Sequence, residues 1–186
     1  MAFYSRNLPH WQPEHVPVFL TWRLYGSLPC GTVTPDCAPP ANESAGRKFV
    51  MADRLLDQAK TGPRWLRDPR VASCLIAIIA RGTDELHQFQ LHAYVIMPNH
   101  VHLLITPAVS VTRIMRGIKG ISAREANRIL SRGGKAFWQD ESYDHWVRSE
   151  QEFGRIRTYI EMNPVSVGLA KKAEEWPWTS AGKIAW

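Results

Sequence analysis

Phe89-Gln90-Leu91-His92-Ala93-Tyr94-Val95-Ile96-Met97-Pro98-Asn99-His100-Val101-His102-Leu103-Leu104-Ile105-Thr106 is the stretch that decides the fold. Two apolar, β-branched and aromatic runs flank the breaker Met97-Pro98-Asn99. This predicts two strands, Phe89 to Met97 and His100 to Thr106, joined as a hairpin. Side chains alternate across a strand, so His100 and His102 point to one face and Val101 and Leu103 to the other. That spacing lets two imidazoles reach one divalent ion. Taken alone, such a pair is more often a polar strand face than a metal site. Here the surrounding Val101, Leu103, Leu104 and Ile105 are strongly apolar, and imidazoles set among them need partners.

Towards the N-terminus, Val16 to Leu24 reads as a strand ending at Gly26. Thr32 to Gly46 carries Pro35, Pro39, Pro40, Asn42 and Ser44 and reads as a surface loop. Lys48 to Ala59 is a predicted helix with Phe49, Ala52, Leu55, Leu56 and Ala59 on its apolar side, stopped by Thr61-Gly62-Pro63. Pro69 opens a second helix, about Arg70 to His87, with Val71, Cys74, Leu75, Ile78 and Ile79 as its stripe.

Beyond the hairpin, Ala108 to Phe137 holds Arg113, Arg116, Lys119, Arg124, Arg128, Arg132 and Lys135 against the single acidic Glu125. This segment alone equals the chain's net charge of +6. A localised basic strip is the footprint of a polyanion partner, and equally of a solvated helix face. It is predicted helical with Ile114, Ile118 and Ile121 inward, although Gly117 and Gly120 disfavour helix and Gly133-Gly134 ends it. Phe137 to Ser149 suggests a further strand or hairpin. Glu150 to Met162 is predicted helical and ended by Asn163-Pro164, because the residue before proline avoids the α region. Tyr159 and Asn163 are four apart on that helix and share a face. Alone, they read as a half-buried tyrosine and a helix-terminal asparagine.

Strands interspersed with helices, and 186 residues, predict one α+β domain. The expected divisions are a core of about 16–170, a loop-plus-helix extension at 32–69 and a C-terminal tail at 171–186. Hydrophobic residues make up 45% and charged residues 22%, ordinary for a globular protein. No apolar run is long enough for a membrane span, and Met1 to Trp11 lacks the pattern of a signal peptide. Cys30, Cys37 and Cys74 are scattered, which supports neither a disulfide framework nor a zinc knuckle. A reducing cytoplasm is the expected setting.

The segment Met97-Pro98-Asn99-His100-Val101-His102-Leu103-Leu104 resembles the HUH motif (His, bulky apolar, His) of single-tyrosine transposases. Tyr159-Ile160-Glu161-Met162-Asn163-Pro164-Val165-Ser166-Val167-Gly168-Leu169 is similar to the YI-x-x-NP-V-x-x-GL signature of REP-associated tyrosine transposases. Thr21 to Pro29, the blocks Phe137-Trp138-Gln139 and Tyr143-Asp144-His145, and Trp176 to Ser180 match in the same order.

The resemblance implies a central antiparallel sheet of ferredoxin-like type flanked by helices. It makes His100 and His102 metal ligands, Asn163 a third ligand through its amide oxygen, and Tyr159 the nucleophile. The implied activity is metal-dependent cleavage and rejoining of single-stranded, hairpin-forming DNA through a 5′-phosphotyrosine, in the cytoplasm at the nucleoid. Nitrogen ligands lean towards Mn²⁺, and cellular supply favours Mg²⁺, so either ion is expected. Arg113, Arg116, Lys119, Arg124, Arg128 and Arg132 are candidates to contact the DNA backbone.

Asp144, His145 and Arg148 are candidates to line the site, or polar residues of an edge strand. Trp138, Trp146, Trp176 and Trp178 suit base stacking or, more commonly, core packing. Related enzymes include monomers and dimers, and both remain open. Two other functions also stay open: a DNA-hairpin-binding protein that no longer cuts, and a hydrolase using HxH plus a carboxylate. Against the hydrolase, neither motif holds an Asp or Glu at ligand spacing, and Glu161 falls off the Tyr159–Asn163 face. The extension over 32–69 departs from the family pattern and carries no assigned function.

Overall fold

The computed structural model describes residues 16–28, 45–58 and 61–183. Its elements are β1 (Val18–Leu24), α1 (Ala45–Gln58), α2 (Pro69–Asp84), β2 (Phe89–Ile96), β3 (His100–Pro107), α3 (Val111–Ile129), β4 (Trp138–Trp146) and α4 (Glu150–Ser166). The strands form one sheet in the order β2-β3-β1-β4, and every pairing is antiparallel. This is the α+β, ferredoxin-like arrangement expected. The predicted Pro-rich loop lies outside the described residues as far as Ser44, as do Cys30, Cys37 and Met1 to Trp11, while its last two residues, Ala45 and Gly46, already belong to α1.

The β2–β3 hairpin turns where Met97-Pro98-Asn99 requires it, closed by the Met97 amide donating to the His100 carbonyl at 2.9 Å. Alternation along the strands then divides the interior. Val18, Leu20, Trp22, Val101, Leu103 and Ile105 pack with Val71, Leu75 and Ile79 of α2 and Ile114, Met115 and Ile118 of α3. Phe19, Ala93, Val95 and Leu104 face the other way, against Ile160 of α4 and Trp176. The hydrophobic area buried on each face is the main term holding the helices to the sheet.

Two local expectations change. In α3 the inward row runs through Ile114, Met115, Ile118, Ser122 and Ala126. Ile121 is half-buried, and Ser122 takes the inward place by accepting from Trp138 Nε1 at 2.9 Å. Of the two forms expected after Phe137, a strand or a hairpin, the chain takes the strand, β4. The last helix does not stop at Asn163: α4 runs through Pro164 to Ser166. Proline removes one donor there, but only in the last turn, where the Leu169 amide still reaches the Pro164 carbonyl at 2.8 Å. Gly168, at φ 73°, takes the left-handed conformation that ends such a helix. Asn163 therefore sits inside a helical turn.

The tail covers an edge. Val95 bridges Thr179, the Ile96 amide donates to the Trp178 carbonyl at 2.9 Å, and Trp176 Nε1 donates to the Ile96 carbonyl at 3.0 Å. These bonds occupy groups of β2 that an uncovered edge strand would leave open to another chain.

Candidate metal and nucleophile site

His100 and His102 are both fully buried, on the sheet face that carries Phe19 and Leu104. Each imidazole is held through Nδ1. His100 Nδ1 lies 2.7 Å from Asn99 Oδ1, an oxygen that can only accept, so Nδ1 carries the proton and Nε2 keeps its lone pair. His102 Nδ1 lies 2.7 Å from Thr21 Oγ1, and Thr21 is its cross-strand partner on β1. Such outer partners set tautomer and ring orientation in metal sites.

Two helices complete the cluster. α4 brings Asn163, buried, with Nδ2 3.4 Å from His102 Nε2 and Oδ1 without a hydrogen-bond partner. A half-turn of the amide exchanges the two atoms and offers the oxygen instead. α4 also brings Tyr159, which packs edge-on against His102 at 5.6 Å between ring centroids and against Phe19 at 6.3 Å. α1 brings Asp53, 2% exposed. Its Oδ1 lies 3.3 Å from His102 Nε2 and 3.7 Å from His100 Nε2. The Tyr159 hydroxyl donates to its Oδ2. Asp57, one turn on, places Oδ1 3.9 Å from His100 Nε2. All these groups belong to one chain.

The donor set fits a divalent cation. One ligand atom each from Asp53, His100 and His102 lies within 4.8 Å of the other two. His100 Nε2, Asp53 Oδ1, Asp57 Oδ1 and Asn163 Oδ1 are buried without hydrogen-bond partners among the described residues. Each such group costs about 1–3 kcal/mol, and a shared cation would relieve them together. Burial, reinforced by Asp57, pushes the Asp53 carboxyl up to about 8. Burial alone takes Asp57 to about 6 and lowers His100 to about 3. His102, buried beside His100, is held well below the ordinary histidine range. Both imidazoles are therefore neutral near pH 7, the protonation state in which an imidazole can bind a metal.

The sequence profile of the family described as "Transposase IS200 like" matches residues 64–163, a span that includes His100, His102, Tyr159 and Asn163. The chain belongs to this family. A REP-associated tyrosine transposase of Escherichia coli (strain K12) is 27% identical over 96 residues, covering 50% of this chain and 54% of the relative. A second relative, from Haemophilus influenzae (strain ATCC 51907 / DSM 11121 / KW20 / Rd), is 26% identical over 110 residues, 53% of this chain and 62% of its own length. The chain thus spans little more than half the length of these relatives. The solved structure of a REP-associated tyrosine transposase bound to a REP hairpin shares the fold. Its TM-score is 0.58 at 18% identity, covering 97% of this chain and 82% of that one. The resemblance to REP-associated tyrosine transposases is borne out.

Other predicted residues fall elsewhere. α3 packs on the Val101/Leu103 side of the sheet, the face away from the histidines. Arg113 and Arg116 are exposed there. Lys119 Nζ donates to the Gln139 and Asp140 carbonyls at 2.7 and 2.9 Å. Arg124 and Arg128 pair with Glu125, and Arg132 stacks 3.5 Å above the Trp65 ring. His145 Nε2 meets Glu152 Oε1 at 2.9 Å, and Glu152 Oε2 accepts the Arg148 amide at 2.7 Å. That pair fastens the start of the helix carrying Tyr159.

The residues that sequence reading missed are Asp53, Asp57, Thr21 and Arg23. Asp53 and Asp57 carried a signal, two like charges one turn apart inside a helix expected to bury an apolar stripe. The buried side of α1 runs through Asp53 and Leu56, whereas Val50 and Met51 are exposed. Arg23 is the cross-strand partner of His100 and so shares its face. Its guanidinium is half-buried, and burial pulls its pKa down while Glu141 partly offsets this.

Proposed function

We propose that this chain is a DNA transposase that cleaves and rejoins single-stranded, hairpin-forming DNA, with Tyr159 as nucleophile and a Mg²⁺ or Mn²⁺ ion held by His100, His102, Asn163 and Asp53. The observation that carries this reading is the hydrogen bond from the Tyr159 hydroxyl to Asp53, a residue that also belongs to the histidine cluster. Family membership supports the same chemistry. When bound, the ion would neutralise the anionic oxygens of a phosphodiester and orient it for in-line attack.

Tyr159 Oη forms a bond to phosphorus as the P–O3′ bond breaks, giving a 5′-phosphotyrosine and a free 3′-OH. The phenol releases one proton and the departing oxygen takes one up. Attack by a second 3′-OH reverses the step, joins a new strand and restores Tyr159. Asn99, whose oxygen can only accept, would keep the His100 Nε2 lone pair available to the ion, and Thr21 holds the orientation of the His102 ring. Arg23, on the same sheet face as His100, supplies a positive charge for a backbone phosphate. Arg113, Arg116, Lys119, Arg124, Arg128 and Arg132 serve DNA that passes beyond the sheet edge.

The reading needs no second subunit, because one chain supplies every reacting group. We read the described core and tail as one catalytic domain, acting on nucleoid DNA in the cytoplasm. Among the described residues no helix is long and apolar enough to cross a membrane.

Asp53 also gives a specific ground for the hydrolase alternative, since it adds a carboxylate to the HxH pair. A labelled hairpin oligonucleotide incubated with Mn²⁺ separates the readings. A protein–DNA linkage supports the transposase, release of a free 5′-phosphate without linkage supports the hydrolase, and binding without cleavage supports a protein that no longer cuts.

A further inference from the structure

Asp53 faces two ways. Oδ1 points at both histidine Nε2 atoms, 3.3 and 3.7 Å away, and has no hydrogen-bond partner among the described residues. Oδ2 accepts from the Tyr159 hydroxyl. The helix that supplies it is tied to the hairpin, because Asn99 Nδ2 donates to the Leu56 carbonyl at 2.9 Å and the same Asn99 holds His100 at 2.7 Å. α1 is thereby fastened to both the histidine that binds and the tyrosine that attacks. It lies outside residues 64–163, the part matched by the family profile.

We propose that Asp53 is a positioning residue that registers the nucleophile to the cation: one carboxylate oxygen belongs to the metal shell and the other fixes the Tyr159 hydroxyl. The ring contacts with His102 and Phe19 set the plane of the tyrosine, and Asp53 sets where its oxygen lies. A carboxylate suits this role because its two oxygens can engage two partners a few ångströms apart without moving. The role rests on the transposase reading for its consequence, faster phosphotyrosine formation. The link between Asp53, the ion and Tyr159 stands apart from that activity. It also gives the segment between β1 and α2 a function, since α1 delivers the link.

The test uses the full chain as wild type, Asp53→Asn, Asp53→Glu and His102→Ala, with three readouts. Mn²⁺ affinity is read by electron paramagnetic resonance. The ¹³Cζ resonance of Tyr159, assigned with Tyr159→Phe, is followed as Mg²⁺ is added. The single-turnover rate of adduct formation on a labelled hairpin is measured at saturating Mn²⁺.

Asp53→Asn keeps the side-chain shape and removes a carboxylate that burial disfavours, so folding is preserved. It should weaken Mn²⁺ binding about tenfold or more and remove the Mg²⁺-induced movement of the Tyr159 resonance. At saturating Mn²⁺ it should still slow the adduct about 10²-fold, the cost of a misplaced reacting group. Asp53→Glu should recover most of the Mn²⁺ affinity but little of the rate, because the extra methylene displaces the second oxygen. A Tyr159 resonance that ignores Mg²⁺ in the wild type overturns the proposal, as does an Asp53→Asn protein with wild-type affinity or wild-type rate. Undiminished Mn²⁺ binding by His102→Ala, or no adduct from the wild type, would instead defeat the underlying functional reading. In those cases the resonance still decides whether Asp53 couples ion and tyrosine.

Discussion

Asp53 Oδ1 lies 3.3 Å from His102 Nε2, although one residue comes from a helix after β1 and the other from the hairpin strand β3. Their meeting turns a pair of neighbouring histidines into a four-ligand candidate site, and it brings the tyrosine of α4 with it.

The outer partner of His102 should matter nearly as much as a ligand. Thr21→Val removes the hydroxyl 2.7 Å from His102 Nδ1 and preserves the shape of the side chain. Mn²⁺ affinity should fall about 10- to 100-fold, measured by calorimetric titration. Unchanged affinity would remove Thr21 from the account.

Stability without metal should fall as pH rises from about 6.5 to 8. Asp53 holds its proton up to about 8 in the folded chain against 3.8 ordinarily. Its stabilising contribution is complete below the ordinary value and is lost as pH climbs through about 8. His100, lowered to about 3 from 6.5, acts oppositely: its contribution is present above 6.5 and lost as pH falls towards 3. The two oppose each other at lower pH, so the interval from 6.5 to 8 isolates the carboxylate. Thermal melts of metal-free protein should show Tm dropping across it, with Mn²⁺ flattening the slope. A metal-free Tm that rises there contradicts the assignment.

Arg23→Gln should weaken hairpin binding about tenfold and reduce the salt dependence of binding by about one counterion, as loss of a single phosphate contact does. Fluorescence anisotropy at several salt concentrations measures both. A salt slope equal to that of the wild type would place Arg23 outside the DNA path.

The tail should be structural. Trp176 is 9% exposed and packs with Phe19, Val95 and Ile160, so Trp176→Ala should cost about 3 kcal/mol in urea denaturation. The β2 edge that its indole caps would then be open, and oligomers should appear on size exclusion. Wild-type stability would contradict this role.

How much of this was legible beforehand follows from how local each signal is. The β2–β3 hairpin was legible because strand alternation and a Pro-Asn breaker act within a few residues. Tyr159 and Asn163 were legible as a pair because a helix places positions four apart together. Asp53 was not, since its significance depends on a contact between distant segments, and the stripe of α1 was read from apolar residues alone. The basic run of α3 told of charge but not of side, because the packing of Ile114, Met115 and Ile118 decides which face of the sheet the helix covers. Pro164 misled because its local rule is overridden by the burial of Ile160, Asn163 and Pro164 itself at the end of the helix.

The central claim is that Tyr159 attacks DNA beside the cation site of its own chain. The most direct measurement incubates a 3′-labelled hairpin oligonucleotide with the full chain and Mn²⁺, then locates the label on the protein by peptide mass spectrometry. The account predicts a DNA fragment joined through its 5′-phosphate to Tyr159, absent in Tyr159→Phe while hairpin binding persists. An adduct that survives Tyr159→Phe, or one mapped to another residue, would contradict it.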